Sequence, residues 1–202
     1  MKTSYLKWAA VVSFVVSMAV LLGGGYAAKD KIPPYPEKVA SEDGRLIFDR
    51  DAIIRGQDVY QKYGLMDHGS VWGHGSLRGM DFSATTLHLT GQAMWSFYAK
   101  QMYSRGFEEL NIQQKENIKA IAKNEVKENR YDNTTNTLTL TKAQEAALEE
   151  VEEYWEKELG SGDKNYGFLP QTVKTDAERK DIAHFFFWTS WAASANRPDK
   201  DY

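Results

Sequence analysis

The sequence predicts a mainly α protein, with one N-terminal transmembrane helix followed by an all-α soluble domain that carries a helical and short β-hairpin insertion. Three observations carry this. Trp8 to Ala28 run without a charge, enough for a helix rising about 1.5 Å per residue to cross a hydrocarbon core of roughly 30 Å. Behind it, apolar residues recur at helical spacing after cap signals. The chain also lacks cysteine, so the domain must hold together by its core alone.

Charge narrows the function classes. The 202 residues carry a formal charge of −3, and the first 28 hold only Lys2 and Lys7, so the remainder stands at −5. An acidic domain lacks the clustered cations that phosphate contacts require, and no nucleic-acid partner is expected. Lys2 and Lys7 precede the apolar run while Lys29 and Lys31 follow it, an asymmetry too weak to set orientation. Gly25-Tyr26-Ala27 and Tyr26-Ala27-Ala28 imitate a small-x-small cleavage site, which leaves a signal peptide open as the alternative to an anchor at 1–28. Either way the domain belongs on the trans side of the membrane.

Residues 29–48 read as a Pro-rich linker, because Pro33, Pro34 and Pro36 remove donors and push their predecessors into extended geometry. The soluble domain is then 49–202. Asp49 or Asp51 can cap a helix running to about Tyr63, with Ile53, Ile54 and Val59 inward and Gly64 as its stop. The glycine-rich stretch from Leu65 to Asp81 has no helical period and reads as a loop. Ser83 is positioned to cap a helix to about Arg105, with Leu87, Gly91, Met94 and Tyr98 on one face and Gly106 at its end. An insertion follows at about 107–174: a helix from Glu108 to Lys127, a hairpin from Arg130 to Thr141, and a helix opened by the capping box Thr141-Lys142-Ala143-Gln144 with Ala147, Leu148, Val151, Tyr154 and Trp155 as its stripe. Thr175 to Glu178 repeats the box signature before a last helix to about Ala193, and Pro198 forbids continuation.

The chemistry of the loop is defined by what it lacks. A c-type haem site is C-x-x-C-H, two thiols and an axial imidazole. At the matching places stand Leu65, Met66, Asp67, His68 and Gly69. Covalent haem is therefore excluded on composition. His68, His74, Asp67 and Asp81 share the loop but match no zinc spacing, and pairing with loop amides accounts for them better. Met66, Met80, Met94 and Met102 read as packing residues.

Val59-Tyr60-Gln61-Lys62-Tyr63-Gly64 followed by Gly73-His74-Gly75-Ser76-Leu77-Arg78-Gly79-Met80-Asp81-Phe82 resembles the N-terminal part of quinol-dependent nitric oxide reductases. The likeness extends from Gly23-Gly24-Gly25-Tyr26 through Ile32-Pro33-Pro34-Tyr35-Pro36 to Ala183-His184-Phe185-Phe186-Phe187-Trp188-Thr189-Ser190-Trp191. It implies a cytochrome c-like domain that has lost haem c and is fused to, or assembled with, a multi-span catalytic part holding haem b, haem b3 and a non-haem iron, which reduces two nitric oxide molecules to nitrous oxide and water. It implies an inner-membrane, single-pass anchor in contact with lipid, with the domain in the periplasm or outside. No cofactor and no catalytic residue are expected in this chain itself, which reads as a separate subunit or a piece of a fused enzyme.

The resemblance also directs attention to a contact surface toward the catalytic part, formed by Trp72, His74, Gly75, Arg78, Phe187, Trp188 and Trp191. The aromatic run on the last helix covers every face, so some of it is expected to meet a partner. Cytochrome c-dependent relatives carry aromatic residues, including a calcium-contacting tyrosine, where this chain has Leu77-Arg78; the guanidinium could take the place of that ion opposite a haem propionate. A membrane-anchored periplasmic binding module without a redox cofactor is the alternative.

Overall fold

A computed structural model describes residues 3–29 and 32–197. The chain divides into two units, Met1–Pro34 and Tyr35–Tyr202. In the first, α1 (Thr3–Lys29) is long and apolar enough to span a membrane, and all of its side chains lie exposed.

The second unit is built around its last helix. It contains α2 (Arg50–Lys62), α3 (Phe82–Tyr103), α4 (Ile112–Lys127), α5 (Lys142–Ser161) and α6 (Asp176–Ser194), with strands β1 (Lys38–Ser41), β2 (Leu46–Asp49), β3 (Ser70–Val71), β4 (His74–Gly75), β5 (Tyr131–Asp132) and β6 (Thr137–Leu140). The mainly α reading with a short hairpin in the insertion therefore stands.

Helix α6 lies against α2, α3 and α5, and every residue from Ile182 to Trp191 is buried. That explains an aromatic content on all faces: a helix apolar all round is an interior helix. Its crossing with α2 is close because Gly56 has no side chain; a Cβ there would stand 2.2 Å from the Asp181 carbonyl oxygen. Ion pairs line the seam, with Arg55 on Asp181 through two bonds of 2.8 and 3.0 Å and Lys62 on Glu178 at 2.5 Å. The interior is a stack of rings. Phe82 and Phe186 lie parallel at 4.7 Å, and Trp155 meets Phe186 at 4.9 Å.

The sheet corrects the expectation of a linker through residue 48. Its order is β2-β1-β6-β5, with β1 parallel to β6 in the register Val39 to Leu138 and the outer pairs antiparallel. The prolines do hold the chain extended, but from Tyr35 onward it is built into the domain. Tyr35 stacks on Trp188 at 4.2 Å and Val39 is fully buried. Nor is the insertion an appendage, since Trp155 on α5 is fully buried and donates 3.0 Å to Thr86 Oγ1 on α3.

Local differences have local causes. Asp81, not Ser83, caps α3 by accepting from the Ala84 amide at 2.9 Å; the Ser83 hydroxyl instead meets Thr189 at 3.1 Å. The expected helix from Glu108 splits into a 3-10 turn at Phe107–Glu109 and α4, because Asn111 and Gln114 form a reciprocal capping box that restarts the helix. The Thr141 box forms in full. At Thr175 only half of it forms, since the Glu178 carboxylate turns to Lys62 and Tyr63. On α3 the buried face runs through Thr86, Thr90, Ala93 and Met94; of the expected Leu87-Gly91-Met94-Tyr98 face Met94 is buried, and the other three are only partly so.

Candidate functional site

The segment 64–81 is not a formless loop. Gly64 adopts a left-handed conformation that ends α2, Leu65–Asp67 make a 3-10 turn, and β3 and β4 pair across Trp72-Gly73. Both turn residues have positive φ, 54° and 77°, the geometry of a primed hairpin turn. A glycine adopts it freely; a tryptophan does so only when held. Trp72 is held from α6. Its indole N–H donates 2.8 Å to the Thr189 carbonyl, and its ring tilts over Trp188 at 5.5 Å.

Asp81 ties the hairpin to the start of α3. One carboxylate oxygen accepts from Ser70 Oγ and the Gly73 amide, both at 2.8 Å, while the other accepts from Ala84. Partial burial opposes its ionisation, but the donated bonds outweigh burial and hold the carboxyl below its ordinary range. The backbone packs closely as well. A Cβ at Gly79 would fall 1.6 Å from the His68 carbonyl oxygen.

This frame separates the sequence-derived site residues into two groups. His74 and Gly75 are exposed on the hairpin, beside Trp72 at 41% exposure, and Arg78 is exposed in the turn that follows β4. Arg78 makes no ion pair among the described residues. Phe187, Trp188 and Trp191 are interior, at 4, 2 and 9% exposure. Their reading as surface that meets a partner is corrected: Tyr35, ahead of β1, stacks on Trp188, and Tyr131 stands 6.2 Å from Trp191 in a four-stranded sheet of which the sequence reading held only the β5–β6 hairpin. Trp72 alone joins the groups. Sequence reasoning left Leu77, 87% exposed in the turn after β4, out of the contact surface, and its reading of Met66 as a packing residue is corrected by an exposure of 49%. The signal was available, since an apolar residue between Ser76 and Arg78 in a glycine-rich turn has no periodic face to belong to.

The residues do not fit a covalently held haem. The chain has no thiol, and Leu65, at the first thiol's place, is fully buried in the core. His68 packs its ring on Phe168 at 5.3 Å. Gly69, where the axial imidazole would stand, leaves no room for any side chain, because a Cβ there would meet the Met80 carbonyl oxygen at 2.3 Å.

A family model for the cytochrome c-like domain of NorB, a component of nitric oxide reductase, matches residues 36–202. The chain belongs to this family. A search of curated proteins finds no match to it. The resemblance carried by Val59–Gly64 and Gly73–Phe82 is thus borne out at the level of the NorB cytochrome c-like domain, and both motifs lie in the elements just described: the end of α2 and the clamped hairpin.

Proposed function

We propose that this chain is the membrane-anchored, haem-free cytochrome c-like part of a quinol-dependent nitric oxide reductase, sitting on the external face of the haem-bearing catalytic helices. The observation that carries the reading is the hairpin. Asp81 and Trp72 fix it from within, and in the turn between β4 and Asp81 Leu77 and Arg78 are exposed, an apolar residue beside a cation with no ion pair among the described residues. A short turn with such a pair, held between the clamped hairpin and Asp81, suits docking on a preformed surface, because little loop entropy is left to lose.

In this assignment the reaction, two NO with two electrons and two protons to N2O and water, takes place entirely in the catalytic part, which holds haem b, haem b3 and non-haem iron. The domain's own residues position and cover. Arg78 presents a permanent positive charge that pairs bidentately with carboxylates, and in this reading it faces a haem propionate where relatives place calcium. Absence of thiols in a cytochrome c-like domain fits a lipid-soluble donor, since no electron then has to cross this domain. The anchor of this assembly lies in the inner membrane, with the domain in the periplasm or outside.

The test is an affinity pull-down of the tagged chain from detergent-solubilised native membranes, read by visible spectrum and mass spectrometry. A copurifying multi-span protein with b-type haem and quinol-driven NO consumption is the expected result. A colourless lone protein would make the chain an independent binding module. Arg78→Ala with unchanged haem content and turnover would remove the propionate role and leave the covering role standing.

A further inference from the structure

A groove between α3 and α4 lies apart from the hairpin. Its floor is apolar, made by Leu87, Gly91 and Trp95 from α3 and by Ala122 and Val126 from α4, and it encloses about 340 Å³. Along its rim stand Lys119, Lys123 and Lys127. The spacing of four keeps successive lysines on one side of α4, so the charge forms a stripe parallel to the apolar floor.

Two observations point to a ligand. The first is charge: in a domain that is acidic overall, Lys123 and Lys127 make no ion pair among the described residues, while Lys119 is shared between Glu116 at 2.8 Å and the Trp95 ring at 5.8 Å. The second is Gly91. It stands mid-way in a 22-residue helix, where glycine is a poor helix former. Packing does not require it, since a Cβ would meet nothing closer than the Trp95 ring at 3.9 Å, an ordinary contact. What its missing side chain does is keep the floor open.

An apolar trough edged by cations takes a molecule with a hydrocarbon body and an anionic head. The chain carries its own candidate membrane span in α1, which makes bilayer lipids the source of that chemistry to be tested. We infer that the groove binds an anionic phospholipid, with one acyl chain on the Leu87-Gly91-Trp95 floor and the phosphate on Lys123 and Lys127. The lysine stems contribute apolar wall and their ammonium groups bind the phosphate.

The experiment uses the full chain in detergent, titrated with dioctanoyl phosphatidylglycerol, dioctanoyl phosphatidylcholine or inorganic phosphate and read by native mass spectrometry and thermal shift. Phosphatidylglycerol is expected to be retained about tenfold more tightly than phosphatidylcholine, with no response to phosphate. Gly91→Leu fills the floor and should weaken retention about tenfold or more without lowering the melting temperature. The double variant Lys123→Glu, Lys127→Glu, exposed and harmless to the core, should abolish the headgroup preference. Because neither change touches α1, lipid held around that helix is unaffected and serves as the internal reference. Equal retention of the two lipids, wild-type retention by both variants, or phosphate binding as tightly as the lipid would each overturn the assignment.

Discussion

Trp72 on the glycine-rich hairpin donates its indole N–H to the Thr189 carbonyl on the central helix at 2.8 Å, across 117 positions of sequence. This bond joins the exposed tip to the core. It also offsets the cost of a bulky residue at φ 54°, a conformation that costs of order 1–3 kcal/mol and persists only where surroundings enforce it. Trp72→Phe keeps a ring over Trp188 but deletes the donor, and is expected to destabilise the domain by about 1 kcal/mol. For a chain of this size that is a fall in melting temperature of about 2–4 °C. A variant as stable as the parent would show that Asp81 and the backbone hold the hairpin without this bond.

Two mid-helix glycines should respond in opposite directions to the same substitution. At Gly56 a methyl group would run into the Asp181 carbonyl at 2.2 Å and Phe185 Cβ at 2.6 Å, neither of which can move without parting α2 from α6. Gly56→Ala is expected to destabilise by about 1–3 kcal/mol or more. Gly91 has open space, so Gly91→Ala should stabilise by about 0.5–1 kcal/mol through helix propensity. Urea midpoints of the two variants, measured side by side in the same detergent, check the pair.

These glycines mark where sequence stops being informative. Local signals were legible: Asp49 caps α2, Thr141 and Gln144 box the start of α5, and Gly64 ends a helix in the left-handed region. Features that depend on distant partners were not. Strand β1 is too short to show a period, and it is a strand because β6 lies beside it about a hundred residues later. The inward face of α3 was misjudged because Thr86 and Thr90 are polar; they are buried all the same, with Thr86 accepting from Trp155 and Thr90 bonded to the Thr86 carbonyl. With only the β5–β6 hairpin of the sheet foreseen, the aromatic faces of α6 read as needing a partner that the domain itself supplies.

Acid should weaken the α2–α6 seam. The Lys62 ammonium, with hydroxyl bonds from Tyr63 and Thr175, holds the Glu178 carboxyl down to about 2 from an ordinary 4.5. A carboxyl whose folded pKa lies below its unfolded value stabilises the fold above the unfolded pKa and loses that contribution as pH falls toward the folded one. The loss from this group therefore falls between about pH 4.5 and about pH 2. Asp81, also held low, adds in the same direction. In Glu178→Gln the acid limb of a stability–pH curve should be shallower than in the parent. Superimposable acid limbs would mean that solvent screens this exposed cluster completely.

Glu158 should behave in the opposite sense. Burial, and then the neighbouring Asp163 carboxyl, push its pKa above the ordinary value, and one of its oxygens is buried without a hydrogen-bond partner among the described residues. The folded protein thus holds this proton more tightly than the unfolded chain. The contribution is present in acid and is lost as pH rises through the folded pKa, leaving an ionised carboxylate disfavoured by its surroundings at neutral pH. Glu158→Gln preserves shape and removes the charge. It is expected to raise the denaturation midpoint at pH 7 and to leave it nearly unchanged at pH 4. A variant less stable than the parent at pH 7 would show that the ionised form is held by a cation or another donor, and metal-dependent thermal shifts of the parent would then identify it.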